Sequence, residues 1–212
     1  MRTVVKLCGF QHPREMAFCA ELDIDYVGFI LVPGRRRSLT VARAIAIMEE
    51  VPAHVQTVGV LQNPTLAEVE QWWDQVAFDR VQLHGQESPE QCATIYESLG
   101  VPIVKALQVK EAKNPQLVQA YAPYVQAILV DAGAGGTGES FSWGTIPLIV
   151  KIWGEAGIPV WIAGGLQPDN VERLLTEYYP AGVDVSSGIE HNGYKDTLKM
   201  KQFVERVRRY DS

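Results

Sequence analysis

Two side chains with proton-transfer chemistry stand where predicted strands end. Cys8 closes a β-branched run and is followed by Gly9, and Asp131 closes another. A thiolate can take a proton, and a carboxyl group whose pKa is raised by burial can give one. Lys6 shares a strand face with Cys8 by the two-residue period, which places a cation beside the thiol and favours the thiolate. A lone cysteine in this position equally fits a small core side chain, the reading adopted for Cys19 and Cys92 on helical stretches.

Other strand ends carry binding chemistry. Gly164-Gly165 and Ser186-Ser187-Gly188 follow the last two predicted strands. Glycine allows close backbone approach, so its N–H groups can cradle an anion, and paired loops at these positions suit a phosphate. Two ordinary tight turns would give the same pattern. Arg35-Arg36-Arg37 is a cationic loop suited to capturing a carboxylate in two parallel hydrogen bonds, or else a solvated basic loop. Gly133, Gly135 and Gly138 have the G-x-G-x-x-G spacing, but no helix opens directly after them. A loop that folds over substrate fits that segment better than a dinucleotide site, with a plain flexible loop as the alternative.

Positioning these groups requires alternating strands and helices. Strands are predicted at residues 3–8, 25–31, 55–60, 80–83, 101–107, 127–131, 159–163 and 182–186. Several are apolar without alternation, as for parallel strands covered on both faces. Helical stripes recur between them: Val41, Ala44, Ile45 and Met48; Cys92, Ile95, Tyr96 and Leu99; Ile146, Ile149, Val150 and Trp153. Val171, Leu174, Leu175 and Tyr178 make a fourth, and Met200, Phe203, Val204 and Val207 a fifth. Residues 113–121 show the weakest helical pattern. Thr65 with Glu68 and Ser88 with Gln91 have capping-box spacing. No linker divides residues 1–212, which read as one α/β domain. Periodicity alone fits a (β/α)₈ barrel or an open doubly wound sheet, and both gather function at strand C-termini.

Composition narrows the function classes. Of 212 residues, 47% are hydrophobic, enough for a large core. A formal charge of −6 argues against nucleic-acid and anionic-membrane partners. No apolar run is long enough to cross a bilayer, and residues 1–10 read as a strand and not a secretion signal. Three scattered cysteines make neither a disulfide framework nor a zinc site, so a reducing, cytoplasmic setting is expected.

Taken in order, the segments resemble phosphoribosylanthranilate isomerase. They are Lys6-Leu7-Cys8-Gly9, Val27-Gly28-Phe29-Ile30 with the arginine loop, Val58-Gly59-Val60 and Val81-Gln82-Leu83-His84-Gly85. Leu129-Val130-Asp131, Gly135-Gly136-Thr137-Gly138, Ala163-Gly164-Gly165-Leu166 and Asp184-Val185-Ser186-Ser187-Gly188-Ile189-Glu190 complete them, with Lys195-Asp196. The resemblance implies a single (β/α)₈ TIM barrel that rearranges N-(5-phosphoribosyl)anthranilate without metal or organic cofactor. It implies Asp131 as general acid on the ribose ring oxygen and Cys8 as general base at C2. Arg37 would grip the anthranilate carboxylate, with Arg36 as its possible substitute, and Gln82, His84 and Asp184 would contact substrate. Gly164, Gly165, Ser186, Ser187 and Gly188 would hold the phosphate. Monomer and homodimer both fit.

The chain departs from the family pattern at Phe10-Gln11-His12-Pro13, at Ser38, and at Glu139 and Ser142 in the glycine loop. These departures bear on substrate range more than on reaction type. Two rivals remain: a barrel that also accepts an aminoimidazole substrate, and a binding protein that has kept the barrel. The first needs a second phosphate loop half a barrel away, where the chain reads His84-Gly85-Gln86-Glu87, a poor phosphate neighbour. The second predicts loss of the acid, the base or the phosphate loops, all of which are present.

Overall fold

A computed structural model describes residues 2–131 and 143–212. Eight parallel strands close into a barrel in sequence order: β1 (Val4–Cys8), β2 (Tyr26–Ile30), β3 (Gln56–Leu61), β4 (Arg80–Leu83), β5 (Ile103–Gln108), β6 (Ala127–Asp131), β7 (Val160–Ala163) and β8 (Gly182–Val185). Closure between β8 and β1 sets Lys6 opposite Asp184. This settles the choice that periodicity leaves open, in favour of the barrel.

Helices cover the outside: α1 (Met16–Cys19), α2 (Val41–Met48), α3 (Leu66–Val76), α4 (Pro89–Leu99), α5 (Val109–Ala112), α6 (Pro115–Tyr121), α7 (Ile146–Glu155), α8 (Pro168–Tyr178) and α9 (Thr197–Asp211). Both expected capping boxes form, Thr65–Glu68 opening α3 and Ser88–Gln91 opening α4. Each satisfies N–H groups that a helix start leaves unpaired. The weak helical pattern of residues 113–121 does hold a helix, α6. Asn114 caps α6 by accepting from the Gln116 N–H, and α5 lies before it as a separate turn. In α2 the buried positions are Ala44 and Ile47, while Ile45 is exposed, so the inward stripe is rotated from the expected one. Tyr96 on α4 is also exposed. The α9 stripe of Met200, Phe203, Val204 and Val207 is wholly buried, as expected.

The period of two along each strand sorts the residues. One set packs outward under the helices. The other fills the barrel interior with Tyr26, Val58, Val104, Ala106, Ala127, Leu129, Trp161 and Ala163. Lys6, Cys8, Gln82, Asp131 and Asp184 are in phase with that inward set, so the alternation that builds the core also aims them into the barrel mouth. A two-stranded hairpin, β9 (Glu190–His191) and β10 (Tyr194–Lys195), follows β8 at the same rim.

Candidate active site

One cleft of about 210 Å³ at the C-terminal ends of the strands is lined by Cys8, Arg37, Gln82, His84, Asp131, Gly164, Gly165, Asp184, Ser186 and Ser187. All but one of the expected site residues therefore meet in a single cavity. Gly188 is the exception, and it packs between the two glycine loops: a Cβ there would lie 1.8 Å from the Leu166 carbonyl oxygen. Any other residue would push the loops apart. Gly164 and Gly165 have φ of +88° and +66°, which only glycine adopts freely. The Asn170 side chain fixes this loop, donating to the Gly165 carbonyl at 2.9 Å while accepting from the Gln167 N–H.

Cys8 is buried against Gly28, with its Sγ and the Lys6 Nζ packed on the same side of that glycine. Lys6 is fully buried and donates to both oxygens of Asp184 at 3.0 Å. Burial opposes the ammonium charge, but the Asp184 carboxylate outweighs it and the Lys6 pKa is raised. The expected cation is thus present beside Cys8 and acts in the expected direction, yet burial outweighs it. Burial pushes the Cys8 thiol upward, Lys6 and Lys195 pull it down, Asp184 pushes with burial, and burial prevails. The resting group is a neutral thiol. Cys19 and Cys92 are wholly buried with thiols pushed up to about 12, as core residues should be.

On the opposite wall, the Gln82 Nε2 lies 2.7 Å from the His84 Nδ1. On its other side, the His84 Nε2 stands 3.5 Å from the Asp131 Oδ2. The Gln82 Oε1 is buried with no partner among the described residues. The Asp131 side chain is 31% exposed, so it sits at the cleft surface and not in an enclosed pocket.

The cleft continues past Arg37 into a second hollow of about 430 Å³, walled by Ile30, Val32 and Val60 and rimmed by Arg35, Arg36 and His84. Arg37 faces both cavities, whereas Arg36 reaches only the outer one. Both arginines already bind Glu190, a residue that sequence patterning assigned no role. The Glu190 carboxyl is held at about 2; burial works against this, but the Arg37 hydrogen bonds and the Lys195 ammonium overcome it. Lys195 was likewise unassigned. Both residues lie in segments that carry the family resemblance, which was the signal available for them. The expected lid, Gly133 to Gly138 with Glu139 and Ser142, lies outside the described residues.

The cleft thus gathers glycine loops, a thiol, a carboxyl group and an arginine in one lining. Residues 5–206 match the family model of N-(5′-phosphoribosyl)anthranilate isomerase. This chain belongs to that family. The Brevibacillus brevis N-(5′-phosphoribosyl)anthranilate isomerase is 39% identical over 214 residues, covering 99% of this chain and 95% of that protein. The phosphoribosylanthranilate isomerase of Thermotoga maritima superposes with a TM-score of 0.81 at 31% identity, over 97% of this chain and 98% of that one. A further family structure holds reduced 1-(o-carboxyphenylamino)-1-deoxyribulose 5-phosphate, with a TM-score of 0.79, 30% identity and coverage of 97% and 98%. Among the described residues no three potential metal ligands converge, and no helix is long and apolar enough to cross a membrane.

Proposed function

We propose that this chain is an isomerase of tryptophan biosynthesis that converts N-(5-phosphoribosyl)anthranilate to 1-(2-carboxyphenylamino)-1-deoxyribulose 5-phosphate. The observation that carries the reading is the chemistry gathered on one cleft. Glycine-rich loops, Cys8, Asp131 and Arg37 all line it, and Arg37 also faces an adjoining apolar-walled hollow. The substrate offers a phosphate, a ribose and a carboxylated aromatic ring to these groups. A family member holds a reduced form of the product, which supports the same reading.

The phosphate rests on the backbone of Gly164, Gly165, Ser186 and Ser187, with Gly188 holding the two loops together. The Arg37 guanidinium takes the anthranilate carboxylate, and the ring lies against Ile30, Val32 and Val60. Asp131 donates a proton to the ribose ring oxygen. The bond from C1 to that oxygen breaks, and the nitrogen lone pair forms a C=N⁺ bond. Cys8, as thiolate, removes the C2 proton, and the C–H electrons form the C1=C2 bond and neutralise the nitrogen. Proton transfer from the enol hydroxyl and onto C1 gives the ketose. Gln82 and His84 hold Asp131 in place, and Asp184 contacts the sugar while fixing Lys6 near the base. The proposed setting is the cytoplasm, in a monomer or homodimer without nucleic-acid or membrane partners; a dimeric family member from Thermotoga maritima is known.

Because burial raises the Cys8 thiol, the base form grows with pH. We expect kcat/KM to rise with pH above neutrality until the thiol has titrated in the free enzyme. A profile that falls over that range would remove Cys8 from the base role. The substrate assignment is tested by mixing the protein with freshly made phosphoribosylanthranilate and following anthranilate fluorescence. Rapid protein-dependent loss is the expected result. A folded protein that leaves the signal unchanged would contradict it.

A further inference from the structure

Glu190 gathers three cations onto one nearly buried carboxylate. Arg37 donates through Nε to Oε1 at 2.7 Å and through Nη2 to Oε2 at 2.9 Å. Arg36 donates through Nη2 to Oε2 at 2.8 Å, and Lys195 donates through Nζ to Oε1 at 3.0 Å. Lys195 is itself 1% exposed and also donates to the carbonyls of Cys8 at 2.6 Å and Ser186 at 3.0 Å. A continuous line of polar contacts therefore runs from the loop after β8, through Lys195 and Glu190, to the arginine loop after β2.

The geometry at Arg37 is what gives this line a function. Glu190 engages the guanidinium side-on, along its Nε and Nη2 edge. A guanidinium has five N–H groups in a rigid plane, so the end-on fork of Nη1 and Nη2 remains for a second carboxylate. The Arg37 side chain also lies flat over Gly9, where a Cβ would approach its Cδ to 2.7 Å. Its direction is thus set from two sides before any substrate arrives. Preorganisation of this kind strengthens binding by removing the ordering cost of a long side chain.

We propose that Glu190 is a positioning residue that braces Arg37 against the phosphate loop, so that the cleft selects phosphoribosyl substrates whose N-linked ring carries a carboxylate. This deepens the functional reading above and rests on it. Charge alone would argue the other way, since removing Glu190 frees positive charge at the rim. The freed guanidinium charge lies on Arg36 and Arg37, whose side chains are 54% and 21% exposed, so solvent screens it in part and a wandering guanidinium gains little.

The test is calorimetric binding of two ligands: the reduced carboxyphenylamino-deoxyribulose phosphate, and its phenylamino counterpart lacking the carboxylate. Inorganic phosphate serves as a third probe that reports intact glycine loops. Wild type should prefer the carboxylated ligand. In Glu190→Gln, which keeps an acceptor for Lys195, affinity for the carboxylated ligand should fall about 10-fold, roughly one decade of Kd. Affinity for the other two probes should stay within about twofold, a bound well inside one such decade. Glu190→Asp should recover part of the loss, and Glu190→Gln added to Arg37→Ala should cost nothing further. Equal weakening of both sugar ligands, an unchanged preference, or additive effects with Arg37→Ala would each overturn the brace. A wild type without preference for the carboxylated ligand would overturn the substrate reading together with the brace. Preference retained in Glu190→Gln would overturn the brace alone.

Discussion

Two faces of the barrel sheet bury the same kind of ion pair and use it differently: Lys6 points inward with Cys8, and Lys105 points outward under the helices. Between β1 and β8, Lys6 binds Asp184 beside Cys8, and Asp184 lines the cleft. Between β4 and β5, Lys105 binds Glu87 at 2.8 Å, with both side chains 1% exposed. Lys105 also donates to the carbonyls of Leu83, Gly85 and Ala106, and the Glu87 carboxylate accepts from the backbone N–H groups of Asn63 and Gly85. The second pair is sealed between sheet and helices, away from the cleft. Backbone donors that a phosphate would need after β4 are taken by the chain's own carboxylate. On the β7–β8 side, glycine loops leave the cleft lined by backbone. The difference is why we assign binding to one side and bracing to the other. It also counts against a second phosphate site half a barrel away, and so against a broader aminoimidazole specificity.

The largest expected effect separates the two pairs. Lys105→Met strands a buried Glu87 and should cost about 3–5 kcal/mol of stability, the usual result of breaking a buried pair from one side. At this chain length that lowers Tm by roughly 10 °C. Turnover of the folded protein should change by less than about threefold, the equivalent of under ~1 kcal/mol. Lys6→Met should show the opposite balance: kcat down about 100-fold, because Cys8 loses its nearest cation, with a smaller Tm loss since Asp184 borders the cleft. Thermal melts and steady-state rates on both variants would break the comparison if they behaved alike.

A smaller effect concerns the glycine loops. Gly188→Ala must displace the Leu166 backbone, so inorganic phosphate should bind about 10-fold more weakly. Unchanged phosphate affinity would move the anion site away from β7 and β8. The smallest effect is in acid. Glu190 has its carboxyl lowered from 4.5 to about 2, so its share of stability is complete above pH 4.5 and is lost as pH falls toward 2. Glu87, also lowered because Lys105 outweighs its burial, loses stability in the same direction. Urea unfolding from pH 5 to 2 should therefore be flatter in Glu190→Gln than in wild type. Parallel curves would show that Glu190 has no special folded-state partners.

Much of the site was legible because a period of two carries Lys6 and Cys8 to one face of a strand, and glycine pairs mark loops with few alternatives. Three things were not legible. The neighbour of Cys8 and the direction of its effect were predictable, but the net shift depends on burial, which spacing does not measure. Glu190 meets Arg37 across 153 residues, through the approach of two loops that no local pattern encodes. Ile45 and Ile47 on α2 are equally apolar, and only the angle at which the helix docks decides that Ile47 goes inward. Helix existence followed from capping and periodicity, whereas its rotation followed from packing.

The central claim is that Cys8 and Asp131 are the base and acid of one isomerisation. The most direct test is fluorescence-monitored turnover of phosphoribosylanthranilate by wild type, Cys8→Ser and Asp131→Asn, alongside their affinities for the reduced product. The account predicts that each variant loses at least about 10³-fold in kcat, on the order of 4 kcal/mol of transition-state stabilisation, while ligand affinity stays within about threefold. Either variant retaining near wild-type turnover would contradict it.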